Sequence, residues 1–139
     1  MTIEISLAGR TALVVGGGGG GIGSSVCHRL ADAGAAIVAL SAVAADLDAT
    51  QAEVEQRGQR CASAVVDVHD LETLRSTIED HPEVDLVVNV VGGVTVPYWH
   101  RLRDYPIESF DHLLTTNLRY AFTSCQAVAA RLIADARPG

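Results

Sequence analysis

Short apolar runs alternate along the chain with segments in which apolar residues recur every three or four positions. Short runs of apolar, often β-branched residues are typical of buried strands, and spacing of three and four residues is typical of a helix with one buried face. Strands are predicted at 11–15, 36–40, 61–66 and 84–91. Helices are predicted at 22–33, from an N-cap at Asp46 to Gly58, from an N-cap at Asp70 to His81, and, as one long helix, from Ser109 to about residue 134.

This alternation predicts the fold class. Strands and helices that follow one another in turn form a parallel sheet with right-handed crossovers. We therefore predict an α/β fold of the doubly wound (Rossmann) type, a three-layer sandwich with a parallel sheet of about four strands ordered 3-2-1-4. The fourth strand is apolar almost throughout, which is typical of a strand covered on both faces. For residues 94–107 two interpretations stay open, a substrate-side loop with a short helix and a plain connector.

A run of glycines, Gly16 to Gly21, follows the first predicted strand, and Gly23 lies one residue further on. A strand, a glycine turn and a helix together present backbone N–H groups and a positive helix end to a phosphate. The P-loop version of this turn needs a lysine, and the sequence contains none. The dinucleotide version needs three glycines, for which Gly17, Gly21 and Gly23 are suitable. On the glycines alone, a flexible turn without a ligand stays open as the alternative.

Composition narrows the function classes. At 139 residues, with 48% hydrophobic and 19% charged residues, the chain has the size and composition of one folded domain. A net charge of −7 without a basic stripe argues against a nucleic-acid partner. The absence of lysine also excludes a Schiff-base or other catalytic lysine.

Three cysteines, Cys27, Cys61 and Cys125, are widely spaced and odd in number. We interpret them as small buried core residues in a reducing compartment, and not as a disulfide framework or a metal site. No signal-peptide pattern opens the sequence, and its uncharged stretches are shorter than the ~20 residues of a membrane span. We therefore expect a cytoplasmic protein with no metal and no membrane partner.

Four segments resemble motifs of the short-chain dehydrogenase/reductase family. They have the family's order and spacing, cover essentially the whole chain, and are Gly9 to Gly23, Asp67-Val68, Asp85 to Gly92, and Thr116-Asn117-Leu118. The resemblance implies a nicotinamide cofactor, NAD or NADP. It also implies hydride transfer between that cofactor and a small-molecule alcohol or carbonyl substrate.

The resemblance further implies a role for each matching residue. The cofactor pyrophosphate would lie against the glycine turn at Gly17, Gly19, Gly20, Gly21, Ile22 and Gly23. Asp67 would accept a hydrogen bond from the adenine amino group, with Val68 beside the ring. Asn89 would brace the central strands, and the segment Val90, Val91, Gly92 would lie under the nicotinamide ribose. Asn117, the one candidate catalytic residue, would hold a water molecule in a proton relay. Structural alternatives stay open for Asp67, as a helix-entry carboxylate, and for Asn89, as a strand-end hydrogen bonder.

Three departures from the family pattern affect these expectations. Gly16 stands where the family usually has threonine, and Val90-Val91 replaces the common Asn-Ala. Ser41 ends the second strand, where an acidic residue would accept from the ribose 2′-OH of NAD and a neighbouring arginine would receive the 2′-phosphate of NADP. Because Ser41 is neither, it is included among the cofactor-binding candidates while the choice between NAD and NADP stays open.

The family's catalytic serine and Tyr-x-x-x-Lys pair have no counterpart in this sequence. We therefore expect residues 1–139 to form a truncated Rossmann-type dinucleotide-binding domain that is inactive alone. Three hypotheses stay open: the cofactor-binding half of an oxidoreductase, a non-enzymatic nucleotide-binding or partner subunit, and a degenerate remnant. An unpaired edge on the fourth strand predicts a homo-oligomer or association with another subunit.

Overall fold

The computed structural model describes residues 5–138 of the chain. Its sheet has four parallel strands, β1 (Thr11–Val15), β2 (Ala36–Ser41), β3 (Cys61–Val65) and β4 (Leu86–Asn89). Their order is β3-β2-β1-β4, which confirms the predicted fold class and strand order. Val15 pairs with Leu40 of β2 and with Asn89 of β4, so the carboxyl ends of these three strands meet at one edge of the sheet.

Helices cover both faces of the sheet. They are α1 (Ile22–Asp32), α2 (Ala44–Gln56), α3 (Leu71–Glu79), α4 (Ile107–Leu114) and α5 (Tyr120–Ala134). One core layer joins Leu13, Val38 and Leu40 to residues of α3 and α5, including Leu74, Ile78, Tyr120 and Val128. The other joins Val14, Ile37 and Ala39 to residues of α1 and α2, including Cys27, Ala31, Leu47 and Val54. Successive strand residues therefore alternate between the two layers, as a sheet buried on both faces requires.

The long helix predicted from Ser109 to about residue 134 is confirmed at its end, since α5 ends at Ala134, but differs at its start and in its middle. The helix begins at Ile107, and a π-helical turn at Thr115–Arg119 separates α4 from α5. Three consecutive side chains in this turn bond to the carbonyl four residues earlier: Thr115 to Asp111 at 3.0 Å, Thr116 to His112 at 3.0 Å and Asn117 to Leu113 at 2.9 Å. Side chains that compete for these carbonyls disturb the regular helical ladder, which accounts for the turn.

The two predicted helix caps have different outcomes. Asp70 caps α3 as predicted, with its Oδ1 accepting from the backbone N–H of Thr73 at 3.0 Å. Hydrogen bonds from the Thr73 hydroxyl and backbone N–H lower the pKa of Asp70 below its usual value. The prediction for Asp46 is wrong, because α2 begins at Ala44 and Asp46 lies within its first turn. Alanine is the strongest helix former, and with Ala44 and Ala45 in its first turn the helix starts three residues early.

The fourth strand is shorter and more exposed than predicted. It spans Leu86–Asn89 instead of 84–91, and each of its residues is half-buried. Backbone bonds to β1 nevertheless continue on both sides, from Asp85 N to Thr11 O at 3.0 Å and from Val90 N to Val15 O at 2.9 Å. The exposure follows from position: β4 is an edge strand of the described sheet, so only one side of it is paired.

A buried carboxylate joins the first and last strands. Asp85 accepts the backbone N–H of Thr11 at 3.0 Å through Oδ1, and its Oδ2 lies 3.4 Å from Nε of Arg10. A buried charge is tolerated when it is both paired and hydrogen-bonded, as here. The contact holds the start of β4 beside the start of β1.

The three cysteines differ in exposure, which corrects the prediction that all are buried. Cys27 lies in the core, Cys61 is half-buried, and Cys125 is exposed on α5 beside the end of the edge strand β4. Burial raises the pKa of the Cys27 thiol to about 12 and that of Cys61 to about 11.

These environments predict the order of thiol alkylation. At about pH 8 both raised pKa values keep Cys27 and Cys61 in the unreactive thiol form, because the thiolate is the nucleophile. We expect iodoacetamide to modify Cys125 first, and Cys27 only after denaturant is added, as read by peptide mass spectrometry. A Cys125→Ser variant is the control and should lose the fast phase. Modification of Cys27 in the folded chain at the rate of Cys125 would contradict the structure.

Candidate functional site

The glycine turn lies between β1 and α1 at the carboxyl edge of the sheet. Gly16 and Gly17 both donate their N–H groups to the Leu40 carbonyl, at 2.8 and 2.9 Å, which ties the turn to β2. Gly16, Gly19 and Gly20 have φ values of 91°, 87° and 66°. Side chains rarely adopt this left-handed conformation, so the path of the turn requires glycine at these three positions.

Two other glycines are required by packing. A Cβ atom on Gly23 would lie 1.7 Å from the carbonyl oxygen of Gly16, so the first turn of α1 rests directly on the end of β1. A Cβ atom on Gly17 would lie 3.0 Å from Cβ of Ala39 and 3.1 Å from Sγ of Cys27. The structure thus shows the close helix–strand approach that the sequence analysis expects of Gly23.

The outer side of the same turn is open. A Cβ atom on Gly20 or Gly21 would meet nothing within 4 Å. Gly21 is the N-cap of α1, no side chain caps the helix there, and its first turn holds no acidic residue. Ile22 is exposed beside it. The turn is therefore filled on its inner side and accessible on its outer side, where the positive end of α1 faces open space.

A cavity of about 200 Å³ lies next to the turn at the same edge of the sheet. It is lined by Val15, Gly16, Leu40, Ser41, Ala42, Val66, Asp67, Val68 and Val91. The fold thus brings together four of the predicted site residues: Ser41 at the end of β2, Asp67 and Val68 after β3, and Val91 after β4. Asp67 accepts the backbone N–H of His69 at 2.9 Å through Oδ1, and Oδ2 has no hydrogen-bond partner among residues 5–138.

Asn117 joins the π-helical turn to the segment that follows β4. Its Oδ1 accepts the N–H of Gly93 at 2.7 Å, and its Nδ2 donates to the carbonyls of Gly93 and Leu113, both at 2.9 Å. Gly92 lies against the same amide, since a Cβ atom on it would be 3.0 Å from Oδ1. Both amide hydrogens are used in these bonds, so Oδ1 alone retains a free lone pair.

Asn89 and Tyr120 hold the end of β4 against α5. The Asn89 side chain accepts from the Ser124 hydroxyl at 2.7 Å and donates to Sγ of Cys125 at 3.4 Å. Both of these side-chain hydrogen bonds are to α5, whereas the backbone of Asn89 pairs with Val15 of β1. The Tyr120 hydroxyl donates to the Val91 carbonyl at 2.6 Å. Burial raises the pKa of Tyr120, which keeps this hydroxyl protonated and a donor. Val90, between these anchors, bonds to the end of β1.

Sequence reasoning missed the place of Asp46 in this site. A Cβ atom on Gly19 would lie 3.3 Å from Oδ2 of Asp46. A Cβ atom on Gly18 would lie 2.8 Å from Cβ of Asp46 and 3.2 Å from Cβ of Ser41. The carboxylate therefore lies beside the glycine turn and next to the end of β2. Nothing in the local pattern indicates this, because it depends on where α2 starts.

A stack of three rings was also missed. The ring centroids of His69 and His112 are 4.4 Å apart, and those of His112 and Tyr98 are 3.9 Å apart. The hydroxyl of Thr116 lies 2.9 Å from Nε2 of His69. The stack joins the loop after β3 to α4 and to the segment 94–106, which contains short 3-10 turns at Val96–Tyr98 and Leu102–Asp104. That this segment lies on the substrate side stays a prediction.

Residues 5–138 contain no cluster of three or more histidine, cysteine, aspartate or glutamate side chains that could hold a metal ion. No helix within the same residues is both long enough and apolar enough to cross a membrane.

Comparisons with known proteins agree with this fold. The profile of the family described as short chain dehydrogenase matches residues 10–139. L-xylulose reductase of Bos taurus is 36% identical over 137 residues, which cover 99% of this chain and 53% of the reductase. The 2-dehydro-3-deoxy-D-gluconate 5-dehydrogenase of Bacillus subtilis is 32% identical over 131 residues, which cover 92% of this chain and 50% of that enzyme. The chain spans about half the length of the curated relatives it matches.

A solved structure is similar over nearly the same extent. Carveol dehydrogenase from Mycobacterium avium, crystallised in complex with NAD, superposes with a TM-score of 0.86 at 26% identity, covering 96% of this chain and 53% of the dehydrogenase. The family profile covers almost the whole sequence, and the strand order is the one that the alternation of strands and helices predicts. The chain belongs to the short-chain dehydrogenase family.

Proposed function

We propose that this chain binds a nicotinamide dinucleotide, NAD or NADP, and supplies the cofactor-binding half of an oxidoreductase. The proposal rests on the difference between the two sides of the glycine turn, of which the inner side is packed and the outer side is open. Gly17 and Gly23 are needed for contacts inside the chain, whereas Gly20 and Gly21 face open space. Glycine without an internal contact is what close approach of an external phosphate needs.

The site fits such a cofactor in size and in the order of its parts. The pyrophosphate would lie at Gly19 to Ile22, beside the positive end of α1. The Gly20 N–H in this segment donates to the Ser24 hydroxyl at 2.9 Å, which fixes the turn to the first turn of α1. The adenine would lie in the cavity, with the free carboxylate oxygen of Asp67 as acceptor and Val68 as apolar wall. The nicotinamide ribose would lie at Val90 to Gly92, a segment that Asn117 and Tyr120 hold in place.

When bound, the nicotinamide ring supplies hydride transfer, here with an alcohol or carbonyl substrate. The residues of this chain bind and orient the cofactor. Asn117 is a positioning residue in this proposal, and the remaining lone pair of its Oδ1 is what it offers to a water molecule. The sequence has no lysine and hence no Tyr-x-x-x-Lys pair, so the proton for the carbonyl has to come from residues outside it.

A second candidate, a non-enzymatic nucleotide-binding subunit, is favoured by the same absence of lysine. It keeps every binding contact described above and has no proton donor for the substrate. The two candidates differ in turnover and not in affinity. A measurement of cofactor binding therefore tests both candidates together.

Exposed apolar surface supports association with a second copy or another subunit. Large apolar side chains lie exposed on the α4–α5 side, namely Leu102, Phe110, Leu118, Phe122 and Ile133. An apolar hollow of about 520 Å³ is lined by Leu102, Tyr105, Ile107, Phe110 and Leu113. Clustered exposure of this kind marks interaction surfaces. The half-buried edge of β4 adds unpaired backbone groups.

Cofactor binding by this chain should be measurable directly. We expect saturable binding of NADH or NADPH, measured by nicotinamide fluorescence, and a roughly tenfold loss of affinity in Asp67→Ala, which removes one hydrogen bond to a charged group. Asp80→Ala, an exposed acid at the end of α3, is the matched control and should bind as the wild type does. A folded wild-type chain that binds neither cofactor would contradict the proposal.

Two glycine substitutions separate folding from binding. Gly23→Ala places a methyl group 1.7 Å from the Gly16 carbonyl, so the thermal midpoint should fall by well over about 5 °C. Gly21→Ala meets no atom of the chain, so the midpoint should stay within about 3 °C while cofactor affinity falls at least tenfold, about 1.4 kcal/mol. Calorimetry and fluorescence titration measure the two effects. If Gly21→Ala binds normally, the pyrophosphate does not approach this turn.

Self-association should be visible by sedimentation equilibrium. We expect a species larger than the monomer at micromolar concentration, and dissociation in Phe122→Asp, because a carboxylate cannot be buried in an apolar contact without cost. Val65→Asp, at the opposite edge of the sheet, introduces the same charge at an exposed valine and serves as control. A strictly monomeric, well-folded wild-type chain would rule out a homo-oligomer.

A further inference from the structure

Resting on the proposed function, we propose that the carboxylate of Asp46 determines the choice of cofactor, favouring NAD(H) over NADP(H). The two cofactors differ by one phosphate on the 2′-oxygen of the adenosine ribose. In folds of this type, that oxygen is recognised near the end of the second strand. The residues at this place therefore decide which cofactor binds.

The end of β2 itself offers no charge. Ser41 and Ala42 occupy it, and the Ser41 hydroxyl accepts the backbone N–H of Val43 at 3.3 Å. No arginine lines the adjoining cavity, and Asp67 brings a negative charge to it. A 2′-phosphate placed here meets no cation among the lining residues.

Asp46 lies against the glycine turn at Gly18 and Gly19, close to Ser41 at the end of β2. A Cβ atom on Gly19 would lie 3.3 Å from Oδ2 of Asp46. A Cβ atom on Gly18 would lie 2.8 Å from Cβ of Asp46 and 3.2 Å from Cβ of Ser41. The ribose has to pass between an adenine in the cavity and a pyrophosphate at the turn. The carboxylate lies beside that path, and among residues 5–138 it forms no ion pair.

The charge of Asp46 acts in two ways. A carboxylate accepts a hydrogen bond from a ribose hydroxyl, as the acidic residue of NAD sites does. A phosphate monoester carries about −1.5 to −2 charge at neutral pH and is repelled by the same group. Asp46 also lies in the first turn of α2, where its charge offsets the positive helix end that would otherwise attract a phosphate.

The test is titration of the whole chain with NADH and with NADPH, followed by nicotinamide fluorescence. We expect the wild type to bind NADH at least about tenfold more tightly than NADPH, and Asp46→Asn to reduce this ratio to about twofold or less. The matched control, Asp48→Asn, removes an exposed charge from the same helix and should leave the ratio unchanged. Because Asp46 and a phosphate interact through charge, the wild-type ratio should also fall at high salt.

A second variant keeps the test informative if Asp46→Asn does not fold. Ala42→Arg introduces a cation at an exposed position at the end of β2 and should raise NADPH affinity by about tenfold. Wild-type preference for NADPH, equal binding of both cofactors, or an unchanged ratio in Asp46→Asn would overturn this inference and leave the proposed function standing. Binding of neither cofactor would overturn the proposed function itself.

Discussion

The contact between Gly23 and the carbonyl of Gly16 is the constraint on which the site depends. With no side chain between them, α1 begins directly against the end of β1. The N–H groups of Gly16 and Gly17 then reach the Leu40 carbonyl, so the turn is fixed to β2 as well. Packing inside the chain thus places the turn beside the cavity at the ends of β1, β2 and β3. In the proposed function, these internal contacts shape the binding surface without themselves touching the ligand.

The other half of the site is held by polar side chains instead of close packing. Asn117 binds both backbone groups of Gly93, and Tyr120 binds the Val91 carbonyl from α5. Asn117, in the π-helical turn, points toward this segment. The stacked rings of His69, His112 and Tyr98 join α4, which precedes that turn, to the loop after β3. Each such hydrogen bond contributes about 1 kcal/mol net to stability, so these three bonds favour the ordered form of the segment.

The chain contains residues suited to cofactor binding but lacks part of the family's catalytic set. The residues that we propose for cofactor binding lie within residues 5–138, whereas the lysine of the family's catalytic pair is absent from the sequence. Exposed apolar residues lie on α4 and α5, and β4 is an edge strand of the described sheet. In our proposals, association uses this side of the chain, and cofactor binding uses the glycine turn and the cavity beside it.

The sequence by itself determined the fold class, the strand order, the glycine turn and the Asp70 cap, because periodicity, caps and turns are local and depend on neighbouring residues. The π-helical turn is local too, but three side chains competing for carbonyls leave no mark on the apolar pattern of the helix. Tertiary structure alone decided the exposure of Cys125 and of β4, which depends on what covers α5 and the sheet edge. It also decided the position of Asp46, since the right-handed crossover from β2 to α2 brings that carboxylate to a turn more than twenty residues earlier in the chain.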